Sequence, residues 1–396
     1  MRQSRRPDHG HPRRWFIPVL AGLVAALVGA APAGAANWAQ FGASAGHTGF
    51  GADTAISLAN VGSLSESCRG AITSNTSTSP AIVSRRVYAN TGDGRIVAMD
   101  AETCATVWSR QIGYTAFSSP AVADGIVYVG TSDGANPPGG ALLALDAATG
   151  DVRWAADMPG GVTGTPSVAG GRVAVGTGTG TLYLLDAATG AVLWSRTSAT
   201  TMSALTTTAI AGGVVYFSGS ATVRAFQASS GKQLWTRAVR GWGFPPVVAD
   251  GRVYVTSGGA LHALDAVTGN LLWSRSVAGD TLRPPAAAYG RLYTSDTSHA
   301  YALEAGTGQS LWTADLPGVS AGFAGTSSAG PVVANRVVYL PSAIDSTLYA
   351  LNATTGTLVW TGSLGGQTWR SIAVANGSLY ANVAYAGAGM RRLTLP

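Results

Sequence analysis

The chain has 396 residues, of which 46% are hydrophobic and only 11% charged, with 53 glycines. Its formal charge of +6 is misleading, because five of the 25 basic residues and one of the 19 acidic ones fall in the first 36 positions, leaving the remainder near +2. That balance excludes the basic face of a nucleic-acid-binding protein, and the abundance of Gly, Ala, Ser and Thr points to a surface that is polar without being strongly ionic.

The first 36 residues read as an export signal. Arg2, Arg5, Arg6, Arg13 and Arg14 form a basic start, Val19–Ala31 is an apolar run between Pro18 and Pro32, and Ala33-Gly34-Ala35 is a small-residue cleavage site. The run is too short to span comfortably a bilayer core of about 30 Å. Arg13-Arg14-Trp15-Phe16-Ile17 resembles the core of a twin-arginine signal, although the flanking Pro12 and Pro18 depart from it, and general secretion is the other route. With no Cys near the cleavage site a lipid anchor is not expected, and no later segment reads as a membrane span. The expected product is an exported monomer, secreted or associated with the cell envelope.

Residues 37–62 form a lead-in, and 63–396 carry a repeat. Its phrase is Leu-x-Ala-Leu-Asp-Ala-x-Thr-Gly-x-x-x-Trp, cleanest at Leu142–Trp154, Leu182–Trp194 and Leu261–Trp273, with weaker copies ending at Trp108, Trp235, Trp312 and Trp360. The steps between these tryptophans are 46, 40, 41, 38, 39 and 48 residues. Units of this period cannot each bury a core alone, so they must stack. In the copy from Ser119 to Trp154, a short apolar strand follows Pro120 and Asp124-Gly125 makes a two-residue turn. Ile126–Gly130 is a β-branched and aromatic strand, Leu142–Asp146 a third, and Val152-Arg153-Trp154 opens a fourth. Four antiparallel strands per unit, without any sustained 3.6-residue period, describe an all-β propeller blade. First strands begin near Pro80, Pro120, Pro166, Ala209, Pro246, Pro285 and Pro331, and Ser371–Leu395 supplies three strands of a further unit. Ser63–Thr73 is a spare strand at the other end. The expectation is an eight-bladed propeller whose last blade is completed by this N-terminal strand, which removes free sheet edges.

Ala-x-Asp-x-x-Thr-Gly-x-x-x-Trp resembles the tryptophan-docking repeat of the pyrroloquinoline-quinone (PQQ)-like propeller family, over about Trp38 to Pro396. Asn37-Trp38-Ala39-Gln40-Phe41-Gly42 with Thr48-Gly49 is similar to that family's lead-in. The family includes quinoprotein alcohol dehydrogenases and non-catalytic propellers such as the outer-membrane-protein assembly lipoprotein. The resemblance implies that Trp108, Trp154, Trp194, Trp235, Trp273, Trp312 and Trp360 are structural, each stacking on the glycine turn of the next blade. The turns are those of Gly150, Gly190, Gly231, Gly269, Gly308 and Gly356, and one Trp faces the composite blade. Asp100, Asp146, Asp186 and Asp265, replaced by Gln227, Glu304 and Asn352 elsewhere, suit a turn that bonds its own backbone. On the same alignment Cys68 stands in the Trp position of the composite blade and Cys104 in the Gly position of the next turn, which implies a disulfide in place of one stacking contact; an exported chain meets the oxidising conditions it needs.

Few residues suggest chemistry. The only histidines beyond the signal, His47, His262 and His299, show no metal-ligand spacing, and His262 takes a place held by Tyr183, Tyr301 and Tyr349. Gly176–Gly180 joins two strands and reads as a turn rather than a phosphate loop, having no helix behind it. Loops at one end vary in length: Thr131–Gly140, Thr197–Thr208, Thr313–Gly330 and Pro341–Ser346. Near them, before the inner strands, lie Tyr114, Phe117, Trp242, Phe244, Arg283, Phe323, Trp369 and Arg370. These form a candidate mouth that either stacks a ligand or partner or plugs the channel. The quinoprotein resemblance would call for a calcium cage of carboxylate and amide oxygens, a catalytic Asp and Arg, and often adjacent cysteines. This chain has no adjacent cysteines, and its best-placed acids, Asp133, Asp280, Asp296 and Asp345, are scattered among different copies. The expectation is a secreted, non-catalytic binding or scaffold module for a protein, peptide or glycan, with no metal and no cofactor. The alternative is a PQQ-dependent or sugar- or alcohol-type oxidoreductase using PQQ with calcium.

Overall fold

The structure is a computed structural model that describes residues 37–396 except 73–77, 114–117, 134–138, 163, 198–207, 220, 240–243, 258, 278–281, 317–329, 343–345, 367, 369–371 and 385–387. In the second repeat, Ala121–Ala123, Ile126–Gly130, Ala141–Asp146 and Val152–Asp157 are the innermost, second, third and outermost strands of one antiparallel sheet. Eight such sheets form the blades. The other innermost strands are Ala81–Val83, Ser167–Ala169, Thr208–Ala211, Val247–Ala249, Ala286–Ala288, Val332–Ala334 and Ala373–Ala375. Each packs against its two neighbours, the last against the first, so the ring is closed. These strands are short and built mostly from Ala, Val, Ser and Thr, with Ile82 and Ile210 the largest side chains, because blades converge there and leave least room. Bulk increases outward to the second-strand tyrosines and the tryptophans of the outermost strands.

The eighth blade is composite, as the spare N-terminal strand predicts. Ser65–Gly70 pairs antiparallel with Gly389–Thr394, placing Cys68 opposite Arg392. The pairing skips Ser67, just as the first blade's outermost strand skips Val107 before placing Trp108 opposite Ala98. Cys68 is therefore in register with the repeat tryptophans, and it is bonded to Cys104, with the two Cα atoms 5.8 Å apart.

The seams between blades follow one rule. Trp108 lies over Gly150 of the next blade, so close that a Cβ on Gly150 would stand 2.7 Å from the ring. The same holds for Trp154 on Gly190, Trp194 on Gly231, Trp235 on Gly269, Trp273 on Gly308 and Trp312 on Gly356. These glycines have φ between +66° and +76°, where a side chain is disfavoured in any case. Each indole Nε1–H also donates to an alanine carbonyl of that turn, as Trp108 does to Ala147 at 3.1 Å and Trp235 to Ala266 at 3.0 Å. A second-strand tyrosine donates to the same oxygen: Tyr88 to Ala147 and Tyr216 to Ala266. The turn itself is fixed by the repeat aspartate, whose Oδ1 accepts two backbone N–H groups, those of Ala148 and Thr149 in the case of Asp146.

The two seams of the composite blade differ. Leading into the first blade, Tyr380 still donates to Ala101 at 3.0 Å, but the disulfide replaces the indole, and Cys104 holds the glycine's place at φ +58°. Leading into the eighth blade there is no turn at all, because the chain breaks there. The short 3-10 turn Val61–Ser63 packs against the seventh blade's outermost strand Leu358–Ser363 instead, and the buried Tyr339 hydroxyl, whose counterparts donate to a turn carbonyl, has no hydrogen-bond partner among the described residues.

Two stability outcomes follow from these contacts. Cys104→Ser should lower the melting temperature in non-reducing buffer, by the equivalent of roughly 2–4 kcal/mol for a loop of this size; an unchanged transition would show that strand pairing alone closes the ring. Gly269→Ala places a methyl 2.5 Å from Trp235 at a φ of +72° and should cost about 2 kcal/mol or more. Gly62→Ala, with no atom within 4 Å, is the control that thermal unfolding should find neutral.

Candidate functional site: the axis and the mouth

The two faces of the ring are distinct. On one, the inner turn and outer turn of each blade are tied together, for example Ala147 N–H to Gly125 O at 2.9 Å and Ala266 N–H to Gly251 O at 3.0 Å. On the other, the residue leaving each outermost strand bonds the loop between second and third strands, as Met158 does to Gly140 and Leu316 to Ser298. The described ends of the length-variable loops thus lie on this second face, the mouth.

The axis is filled by the lead-in. Trp38 exchanges backbone hydrogen bonds with Ile82 at 2.7 and 2.8 Å, and the Ala39 carbonyl accepts from Val122 at 2.7 Å. Gln40 reaches the third blade through its side chain, Oε1 accepting from Val168 at 3.0 Å. The carbonyls of Ala45, Gly46, Thr48 and Gly49 then accept from Ile210, Val248, Ala287 and Val333 at 2.7–2.8 Å. Phe50–Gly51 runs parallel to Val332–Ala334. Asp53 reaches the eighth blade, its Oδ2 accepting from Gly377 at 2.6 Å. The segment begins and ends on the turn face, where Asn37 Oδ1 accepts from Ser84 N–H and Asn335 donates to the carbonyls of Thr54 and Ile56. The lead-in backbone is therefore a floor laid across the inner strands of the first seven blades. Sequence reading missed this role for 37–62. The available signal was Gly42, Gly46 and Gly49 in an uncharged stretch, three sites without side chains within eight residues.

His47 lies on this floor, 2% exposed, edge-on to Phe41 with ring centroids 5.3 Å apart. The Ser167 hydroxyl, which also donates to the Thr208 carbonyl, lies 3.0 Å from His47 Nε2. Burial lowers the His47 pKa to about 4, only partly opposed by the carbonyl of Pro246. A small pocket opens between His47, Phe41 and the prolines that enter the fifth to seventh blades: Pro245, Pro284, Pro285 and Pro331.

Of the eight mouth residues expected to bind or plug, Tyr114, Phe117, Trp242, Phe323, Trp369 and Arg370 lie outside the described residues. Phe244 and Arg283 are described, both half-buried on the rim. The backbone of Phe244 bonds Thr256 O and Ser218 Oγ, and that of Arg283 bonds Ser295 O and Thr294 Oγ1. Burial lowers the Arg283 pKa and the charge of Asp296 opposes the shift. Asp296 caps its loop: Oδ1 accepts from Ser298 and His299 N–H at 2.7 Å and Oδ2 from the Tyr301 hydroxyl at 2.6 Å. Burial raises its pKa, but these donors outweigh burial and hold it below the usual carboxylate value. The acid is thus spent on structure. Asp133 likewise accepts from Gly139 N–H at 2.8 Å, and Asp280 and Asp345 lie outside the described residues. Among the described residues no group of three or more His, Cys, Asp or Glu side chains could hold a metal ion.

Comparison with known proteins follows the fold. A family model described as outer membrane protein assembly factor BamB matches residues 24–137, 137–240, 219–371 and 296–394. Among solved structures, BamB from Moraxella catarrhalis is similar with a TM-score of 0.65 at 21% identity, covering 84% of this chain and 99% of that one. Quinohemoprotein alcohol dehydrogenase from Comamonas testosteroni gives 0.72 at 15%, over 91% and 80%. A europium-containing methanol dehydrogenase gives 0.70 at 14%, over 90% of each chain. At these identities the likeness is one of fold. No curated protein matches the chain in sequence.

The His47 environment sets a pH dependence. The unfolded histidine protonates near 6.5 and the folded one near 4. The unfolded state therefore binds the extra proton between those values, and stability present above pH 6.5 is lost as pH falls toward 4, by on the order of 3 kcal/mol. Chemical denaturation of the wild type and His47→Gln across this window should show the acid-side decline flattened in the variant.

Proposed function

Because the chain belongs to the family of outer membrane protein assembly factor BamB, we propose that it is an exported, non-catalytic PQQ-like propeller that binds a protein, peptide or glycan partner in the cell envelope or extracellular space. The observation that carries this reading is the closed axis: the chain's own lead-in occupies the hydrogen-bonding groups of the inner strands, and the acids at the described mouth are committed to loop caps. What remains for recognition is the rim. The residues proposed to contact the partner are Trp242, Trp369 and Arg370, with Tyr114, Phe117, Phe244, Arg283 and Phe323 around them. They combine stacking surfaces with cationic anchors, the residue types that dominate binding energy at interfaces. The domain division proposed with it is a signal over 1–36, a lead-in over 37–62 and the propeller over 63–396.

The test has two arms. Purified protein given PQQ and Ca²⁺ should retain no quinone absorbance and should not support dye-linked alcohol oxidation; retained cofactor with turnover would reverse the reading in favour of an oxidoreductase. Trp369→Ala should leave the melting temperature nearly unchanged if the ring is presented to a partner. A fall corresponding to about 3–5 kcal/mol, as when a buried aromatic leaves a cavity, would make it a plug of the mouth instead.

A further inference from the structure

The lead-in meets the blades in a particular order. Trp38 bonds the first, Ala39 the second, Gln40 the third, Ala45 the fourth, Gly46 the fifth, Thr48 the sixth, Gly49 the seventh and Asp53 the eighth. Sequence order along the segment is blade order around the ring, so residues 38–53 make one turn about the axis in the direction in which the blades are laid down. At each of the first seven blades the bonded donor is the same element of the repeat, the middle of the innermost strand. The segment is itself stiff. Gly42, Ala43, His47 and Gly49 hold φ values from +57° to +69°, and Gly49 N–H closes back on Gly42 O at 2.9 Å. It is also fitted without slack: a Cβ on Gly46 would stand 2.8 Å from Val248 O, and one on Gly49 would stand 2.8 Å from Ala286 Cβ.

Repeat arrays normally transmit stability only between neighbours, so that each unit opens with a free energy set by the units beside it. A single stiff segment bonded to every unit removes that locality. We propose that residues 38–53 are an axial spindle that couples all eight blades into one cooperative unit, so that loosening it at one blade loosens the inner strands on the far side of the ring. The amides that report this are Ile82, Val122, Val168, Ile210, Val248, Ala287 and Val333, each of which donates to the spindle.

Hydrogen exchange on the full chain tests it. Gly46→Ala touches the fifth blade alone. The spindle predicts that exchange in the inner-strand peptides of all seven reporting blades rises together, by about tenfold for a contact of this tightness, while Gly62→Ala changes none of them. A rise confined to the fifth blade and its two neighbours overturns the proposal. The second measurement needs no variant. In wild-type protein under rising sub-denaturing urea, the exchange of the seven amides should converge on one common opening reaction; opening of blades in separate groups overturns the coupling even if Gly46→Ala does not fold.

Discussion

Every ordinary seam of this ring depends on a peptide plane bare enough for an indole to lie on it. The requirement is double. The turn must have no Cβ, because the ring sits within 3 Å of where one would be, and its backbone must be left-handed, because only then does the alanine carbonyl three residues earlier point at the indole N–H. Glycine meets both at once. The phrase Asp-Ala-x-Thr-Gly is therefore one device: the aspartate bonds the turn from inside, the alanine supplies the acceptor, and the glycine supplies the surface. Where one part is lost, the others persist. Ala174 stands where most blades have the second-strand tyrosine, yet Trp194 still donates to Ala228 at 3.0 Å.

The composite blade departs from this device on both sides: its third and outermost strands come from distant parts of the chain, so no turn joins them, and its outermost strand carries Cys68 where the others carry Trp. The structure answers with different chemistry on each side. Toward the first blade a covalent bond takes the place of stacking, and it also holds Cys104 in a conformation that costs a non-glycine residue about 1–2 kcal/mol. Arg391, almost fully buried, joins the two terminal strands through Glu66 at 3.3 Å, and Arg392 bonds the Glu102 carbonyl at 3.0 Å. Toward the seventh blade the substitute is apolar. Ile56 and Val61 of the lead-in and Leu64 just after it are buried in one cluster with Tyr339, and Trp360 packs against it. The orphaned Tyr339 hydroxyl marks the place of the missing turn.

Much of this was legible from residues alone, and the boundary is physical. The blade count and the closing strand could be read because a repeat compares each unit with its neighbours, so the absence of a fourth strand after Leu395 and its presence at Ser63–Thr73 were both visible. The disulfide followed once Cys68 and Cys104 were aligned with a Trp and a Gly. The axial path of 38–53 was not legible. It is a unique segment with nothing to align to, its bonds to the inner strands are made mostly by backbone carbonyls that carry no side-chain signature, and its side-chain contacts to the third blade's inner strand, Gln40 to Val168 and His47 to Ser167, span 128 and 120 residues. The neutral state of His47 was hidden for the same reason, since it follows from burial among groups that distant blades contribute. For the mouth, residue types could be named and ordered along the chain. Aromatic and Arg side chains before inner strands have the same pattern whether they bind or plug, and Phe244 and Arg283, the two the structure describes, are half-buried, which suits either role.

The residues that make the fold recognisable are thus separate from those that would make it act. Tryptophan, glycine, alanine and aspartate of the repeat are consumed by the seams, and the same seams can carry an alcohol dehydrogenase or a protein of another kind without alteration. That explains why a chain with 14–21% identity to such different proteins superposes on all of them. Where the repeat is silent, on the axis, this chain has structure of its own: the inner-strand N–H groups are occupied by a segment that enters and leaves on the turn face, and Phe41, His47 and four prolines surround a small pocket beside it.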